Sequence, residues 1–232
     1  MNQQSSRRHL ITSLTQIGTD NEDRAETRLN KSILVSSSLM IILAGVLWGS
    51  VYIAFDEPLA GAFPIGYSVL SLLSILLYKL TKNYQRFCFT QLFLILCIPF
   101  LLQLALGGFM NSSAVVLWSL ICPLGALMFD KPRNAVYWFI AFIGMVVVGG
   151  VLQPSTSMNL NNLPVWLIHS FFVANISAIS TVAFIMLYHF VREKKKYHDL
   201  LAEQAITDNL TGLHNRTLLS PCLSNAIHQN NR

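Results

Sequence analysis

Six long apolar stretches separated by short polar loops constrain this chain more than any other feature. They cover residues 32–55, 59–78, 89–106, 113–129, 135–151 and 164–191. None carries Lys, Arg, Asp or Glu in its middle. Each is close to the ~20 residues a helix needs to cross a bilayer. A backbone in hydrocarbon must satisfy its own hydrogen bonds, so these segments are expected to be α-helices. Composition agrees. Of 232 residues, 53% are hydrophobic and 12% charged, against about 25% charge in a typical soluble domain. The expected fold class is all-α, a polytopic membrane protein with six transmembrane helices.

The basic residues orient it. Arg7, Arg8, Arg24, Arg28 and Lys31 precede the first segment. Lys79, Lys82 and Arg86 lie between the second and third, Lys131 and Arg133 between the fourth and fifth. Arg192, Lys194, Lys195, Lys196, Arg216 and Arg232 follow the sixth. The other three loops contain no Lys or Arg, so all 16 basic residues fall on one side. The positive-inside rule makes that side cytoplasmic, with both termini inside a bacterial inner membrane. The net charge of +5 is then explained by topology and contact with anionic lipid, and no nucleic-acid partner is expected.

The remaining loops, 56–58, 107–112 and 153–163, are too short to fold as a separate sensor domain. An external signal must be read inside the bundle or at its outer mouth. The first thirty residues contain no apolar core and hence no secretory signal. Residues 1–31 read as a polar cytoplasmic segment in which 21–30 can form a solvated helix. Cys88, Cys97 and Cys122 sit in apolar runs and Cys222 in the tail. Their spacing fits no zinc pattern, and buried apolar thiols are the expected outcome. No metal site is expected.

Polar residues inside the segments are few. Trp48 and Tyr52 fall at the outer end of the first, Gln103 near the outer end of the third. His169 and Asn175 fall in the outer half of the sixth, with Trp166 at the interface. Intramembrane polar groups favour the bundle interior. Two readings stay open for Trp48, Tyr52, Gln103, His169 and Asn175. One is interhelical hydrogen bonding plus an aromatic belt, and His169 alone reads first as a satisfied interior histidine. The other is a small-ligand pocket lined by some of them. Ser170, Ala174, Ser177 and Thr181 recur at helical spacing, and Gly144, Gly149 and Gly150 do so loosely. Packing is the first reading of these small residues, with a dimer face as the second.

From Val191 to Ile206 no Pro or Gly interrupts a run of good helix formers. Tyr197, Leu200, Leu201 and Ala205 form a short apolar stripe. Residues 192–207 are therefore expected to extend the sixth helix by about 25 Å. Paired with a second copy, this stretch can form a parallel coiled coil, which makes a homodimer through the sixth helix and its extension the expected assembly.

After the helix comes the run Asp208-Asn209-Leu210-Thr211-Gly212-Leu213-His214-Asn215-Arg216. Thr211-Gly212 is a turn signal, and Asn215 can cap a helix starting at Arg216. Asp208 can cap the turn or pair with Arg216. At Asp208, Leu210, Thr211, Gly212, Leu213, Asn215 and Arg216 the run resembles the opening motif of GGDEF domains, the bacterial diguanylate cyclases. The resemblance covers residues 208–232. It implies the start of an α/β cyclase domain, truncated, in a family that condenses two GTP into cyclic di-GMP with Mg. It implies that residues 32–191 are a six-helix sensory module, responding to an unknown small-molecule or membrane signal, and that 192–207 are its signalling linker. Ser220-Pro221 interrupts the helix that family members continue. The Gly-Gly-Asp-Glu-Phe signature is absent, so no catalytic residue carries over and the chain is expected to be inactive by itself. The six-segment layout also resembles the membrane domains of bacterial adenylate cyclases. A small transporter is a third alternative, resting on Pro99, Pro123, His169 and Asn175.

Overall fold

A computed structural model of the chain describes residues 25–156 and 161–206. The described residues form helices and loops, with no strand among them. Helix α1 spans Ala25–Ala54, α2 Pro58–Thr81, α3 Tyr84–Ala105, α4 Ile121–Phe129, α5 Pro132–Thr156 and α6 Val165–Ile206. A 3-10 helix, Val115–Leu120, leads into α4. The opening motif at 208–216 lies outside the described residues.

Five of these helices are long and apolar enough to cross a membrane, and Val115–Phe129 is a shorter apolar element. Their outward surfaces are as apolar as their inward ones. Met40 and Leu43 on α1 are each 73% exposed, Leu80 on α2 81% and Val151 on α5 74%. A helix apolar all round has no aqueous face. The chain is a membrane protein.

The fourth segment departs from the expected regular transmembrane helix. It is six residues of 3-10 helix followed by nine of α-helix. Such a span reaches about 25 Å. Its approach is also irregular, since Gly107 and Gly108 take φ near +91° and Ser113 and Ala114 both take φ near +56°. Two consecutive left-handed residues with side chains are costly, on the order of 1 kcal/mol or more each. They are accommodated because the segment is surrounded by protein. Val115, Val116, Ser119, Ile121, Cys122 and Ala126 are all buried. Irregular backbone at membrane depth is tolerated only where protein covers it.

The first helix also differs, beginning seven residues earlier than the apolar run, at Ala25 rather than 32. Its seam with α2 is tight. A β-carbon at Gly45 would strike Ser68 Oγ and lie 2.7 Å from the Pro64 carbonyl oxygen. One at Gly49 would lie 2.6 Å from Ile65 Cγ1 and 2.8 Å from the Gly61 carbonyl oxygen. Gly45 and Gly49 are four apart, the spacing that lets two helices approach closely in lipid. Ser68 Oγ donates across the seam to the Ile42 carbonyl at 2.9 Å.

At the other side of α2, Tyr78 stacks on Phe87 of α3 with centroids 4.7 Å apart. Asn83 caps α3 by accepting from the Arg86 amide at 3.0 Å. Tyr84 hydroxyl donates to the Phe129 carbonyl at 3.2 Å, tying the start of α3 to the end of α4.

The described residues divide into two units, which meet between residues 183 and 184. All the packing above lies in the first. In the second, α6 continues as helix to Ile206, with Phe184 and Tyr188 stacked one turn apart at 6.5 Å.

Candidate functional site

The first unit holds a partly open pocket, a cavity of about 250 Å³. Helix α1 supplies Ile41, Ala44, Gly45 and Trp48 to its wall, and α2 supplies Pro64 and Tyr67. Helix α3 supplies Ile95, Ile98, Pro99 and Leu102 at helical spacing. Val115 and Trp118 of the 3-10 helix and Ala178 of α6 complete it.

Its position follows from the chain. Measured from the helix ends at the 56–57 loop and after Ala105, the lining residues lie about 5 to 20 Å deep at ~1.5 Å per residue. That range runs from near those loops to just past the middle of the ~30 Å apolar layer. Two of the lining residues are prolines. Pro64 and Pro99 lack an amide donor and weaken the helical ladder at their level. Both fall inside helices, α2 and α3 respectively.

The polar groups on the wall are turned to protein partners. Trp118 Nε1 donates to Asn175 Oδ1 at 3.0 Å. Tyr67 hydroxyl points at Gln91 Oε1 at 3.4 Å, and Ser71 hydroxyl donates to the same oxygen at 2.9 Å. What faces the cavity is hydrocarbon and aromatic ring.

Above the cavity, toward the 56–57 loop, sits an aromatic core. Trp48 stacks on Phe171 with centroids 5.6 Å apart. Tyr52 meets the same ring edge-on at 5.4 Å. Phe55 meets Trp166 edge-on at 6.0 Å. Tyr52, Ala60, Leu102, Leu106, Val115, Leu163, Leu167 and Phe171 form one buried cluster.

The loops at this end are stitched together. Asn161 Nδ2 donates to the carbonyls of Leu106 and Asn111 at 2.9 and 3.0 Å. Gln153 Oε1 accepts from the Phe109 amide at 2.9 Å. Glu57 Oε1 accepts from the Asn162 amide at 2.5 Å. Short as they are, these loops form a connected cap.

The five residues singled out from sequence separate in the structure. Trp48 lines the cavity. Tyr52 is fully buried in the aromatic core, with no hydrogen-bond partner for its hydroxyl. Gln103 is fully buried against Gly149, and both of its amide atoms lack a partner. Asn175 is fully buried and bonded on both sides, accepting from Trp118 and donating to the Ser113 carbonyl at 3.0 Å. His169 is exposed on α6 and does not line the cavity. Asn175 thus makes interhelical hydrogen bonds, and of the five only Trp48 borders the cavity.

Sequence reading passed over most of the cavity wall. Ile95, Ile98, Pro99 and Leu102 form a stripe visible in the sequence, but α3 is apolar on every face, so the stripe carries no contrast. The Gly45–Gly49 pair was detectable by its spacing alone. No group of three or more His, Cys, Asp or Glu able to hold a metal occurs among the described residues. The protein families, curated proteins and solved structures compared with the chain include no match.

Proposed function

We propose that the chain is a membrane-embedded sensory module that regulates a cyclase output, of the diguanylate type. The observation that carries this reading is α6. In its first half, Asn175 and Phe171 hold the buried contacts of the cavity and the aromatic core. The same helix is uninterrupted to Ile206, two residues before the run that resembles a GGDEF opening. A ligand that changes the packing around Asn175 therefore acts on a helix leading to the output. The output would use GTP and Mg, supplied by a catalytic domain, and a homodimer through α6 would give such a helix a partner to move against.

The test is a fusion of residues 1–206 to an intact diguanylate cyclase domain, read as cyclic di-GMP in vesicles. A seven-residue insertion near Tyr197 preserves a heptad face, and a four-residue insertion shifts it by about half a heptad. The two are expected to give different outputs, and filling the cavity with Ala178→Leu is expected to change the output as well. Equal cyclic di-GMP from all four proteins would remove the regulatory reading.

A further inference from the structure

We infer that the cavity between α1, α2, α3, the 3-10 helix and α6 binds a hydrocarbon chain of roughly ten carbons. The inference deepens the sensory reading by naming the class of ligand at that site, and it rests on the cavity being the input.

Chemistry of the wall comes first. No charged residue lines the cavity. The Trp118 indole N–H and the Tyr67 hydroxyl are directed to Asn175 and Gln91. A bound water needs two to four polar partners, and an apolar cavity of ~150 Å³ stays dry and takes up benzene. The pocket here is partly open, and its wall likewise offers water almost no polar partner.

Size comes next. At about 250 Å³ the cavity exceeds a benzene-binding one by roughly two-thirds, which scales six carbons to about ten. A sugar, nucleotide or amino acid would bury its polar groups against Ile, Leu, Val and Pro side chains, with no hydrogen bonds to replace those lost to water. A hydrocarbon loses nothing polar on entry.

Depth points the same way. The lining residues lie within the apolar layer, where alkyl chains are the surrounding solvent. Trp48 and Trp118 supply flat aromatic walls, and Pro64 and Pro99 interrupt the ladders of two adjoining helices. A chain seated there gains van der Waals contact with these walls.

Such a chain has two sources, a free apolar molecule or the acyl tail of a lipid. The experiment carries an arm for each. The full chain is reconstituted in vesicles with one of two photoreactive probes. The first is a ten-carbon alkyl diazirine; the second is a phosphatidylcholine bearing the same group in one acyl chain. Labelled residues are mapped by mass spectrometry.

Saturable labelling at Ile41, Trp48, Ile95 and Ile98 is expected, reduced at least fivefold by excess decane. The outward-facing Leu43, Leu47 and Phe93 should label without saturation. Labelling by the free probe identifies a small apolar ligand, and labelling by the phospholipid identifies a membrane lipid tail. Ala178→Leu and Ile98→Phe, each checked for helicity and a single elution peak, should lower the saturable component at least fivefold. Wall residues that label no more saturably than Leu43 with either probe overturn the inference. So does unchanged saturable labelling in both folded variants. Occupancy is read here without any output, so saturable labelling with an unresponsive fusion would leave the ligand site standing and remove only the regulatory reading.

Discussion

The indole N–H of Trp118 donates to the side-chain oxygen of Asn175 at 3.0 Å, and the Asn175 amide donates in turn to the Ser113 carbonyl at 3.0 Å. Ser113 Oγ closes the set by donating to the Ile168 carbonyl at 2.8 Å. The arrangement ties α6 to the 3-10 helix where the latter departs from regular geometry. Ser113 and Ala114 hold positive φ there, and Asn175 fixes the carbonyl that this conformation presents.

Asn175→Ala should therefore destabilise the protein by about 1 to 3 kcal/mol, because it leaves the Trp118 donor and the Ser113 acceptor buried and unpaired. In a double-mutant cycle with Trp118→Phe, the coupling energy should fall near the ~0.6 to 1.7 kcal/mol measured for interhelical bonds in membranes. Unfolding in mixed micelles measures both. Additive effects of the two substitutions would mean that the bond contributes nothing.

Gln103 has the opposite character. It is fully buried and its amide oxygen and nitrogen find no partner. Replacing it with the similarly shaped, apolar Met should stabilise the bundle by about 1 to 3 kcal/mol, the usual desolvation penalty of an unsatisfied group. The same unfolding assay reads the sign. A loss of stability would show that the amide has a partner in the membrane-embedded protein.

The glycines divide by what surrounds them. Gly49→Ala sets a β-carbon 2.8 Å from the Gly61 carbonyl oxygen, so α1 and α2 must separate. The expected cost is about 1 to 3 kcal/mol, as for overpacked cores. Gly144 faces open space, and Gly144→Ala should be neutral or stabilising by up to ~1 kcal/mol through helix propensity. Melting of the purified variants in detergent separates the two cases.

Topology follows from the one-sided basic residues. Reporter fusions after Lys82, Lys131 and Arg232 should read cytoplasmic, and one after Ser157 external. The fusion pair at Lys82 and Lys131 also tests the short fourth element. If Val115–Phe129 does not cross, Lys131 reads external and the number of crossings falls by one.

What the sequence determined by itself is the number, length and order of the apolar segments, since bilayer thickness sets helix length and composition shows it directly. It located them to within several residues, although α1 starts at Ala25 rather than 32, α3 at Tyr84 rather than 89, and α5 runs to Thr156 rather than 151. It also determined which loops carry basic charge. It did not determine what faces what. In a soluble helix the apolar stripe marks the core, but here Leu43 meets the outside and Ile41 the cavity with no change in polarity. The tertiary structure alone decided that Asn175 is bonded while His169 is exposed, although both are polar residues of one helix. It alone decided the irregular course of residues 107–120, which is stable only because α3, α4 and α6 surround it. The cavity belongs to the same class. Its wall comes from five separate elements, and shape complementarity among distant residues leaves no periodic trace along a chain that is apolar throughout.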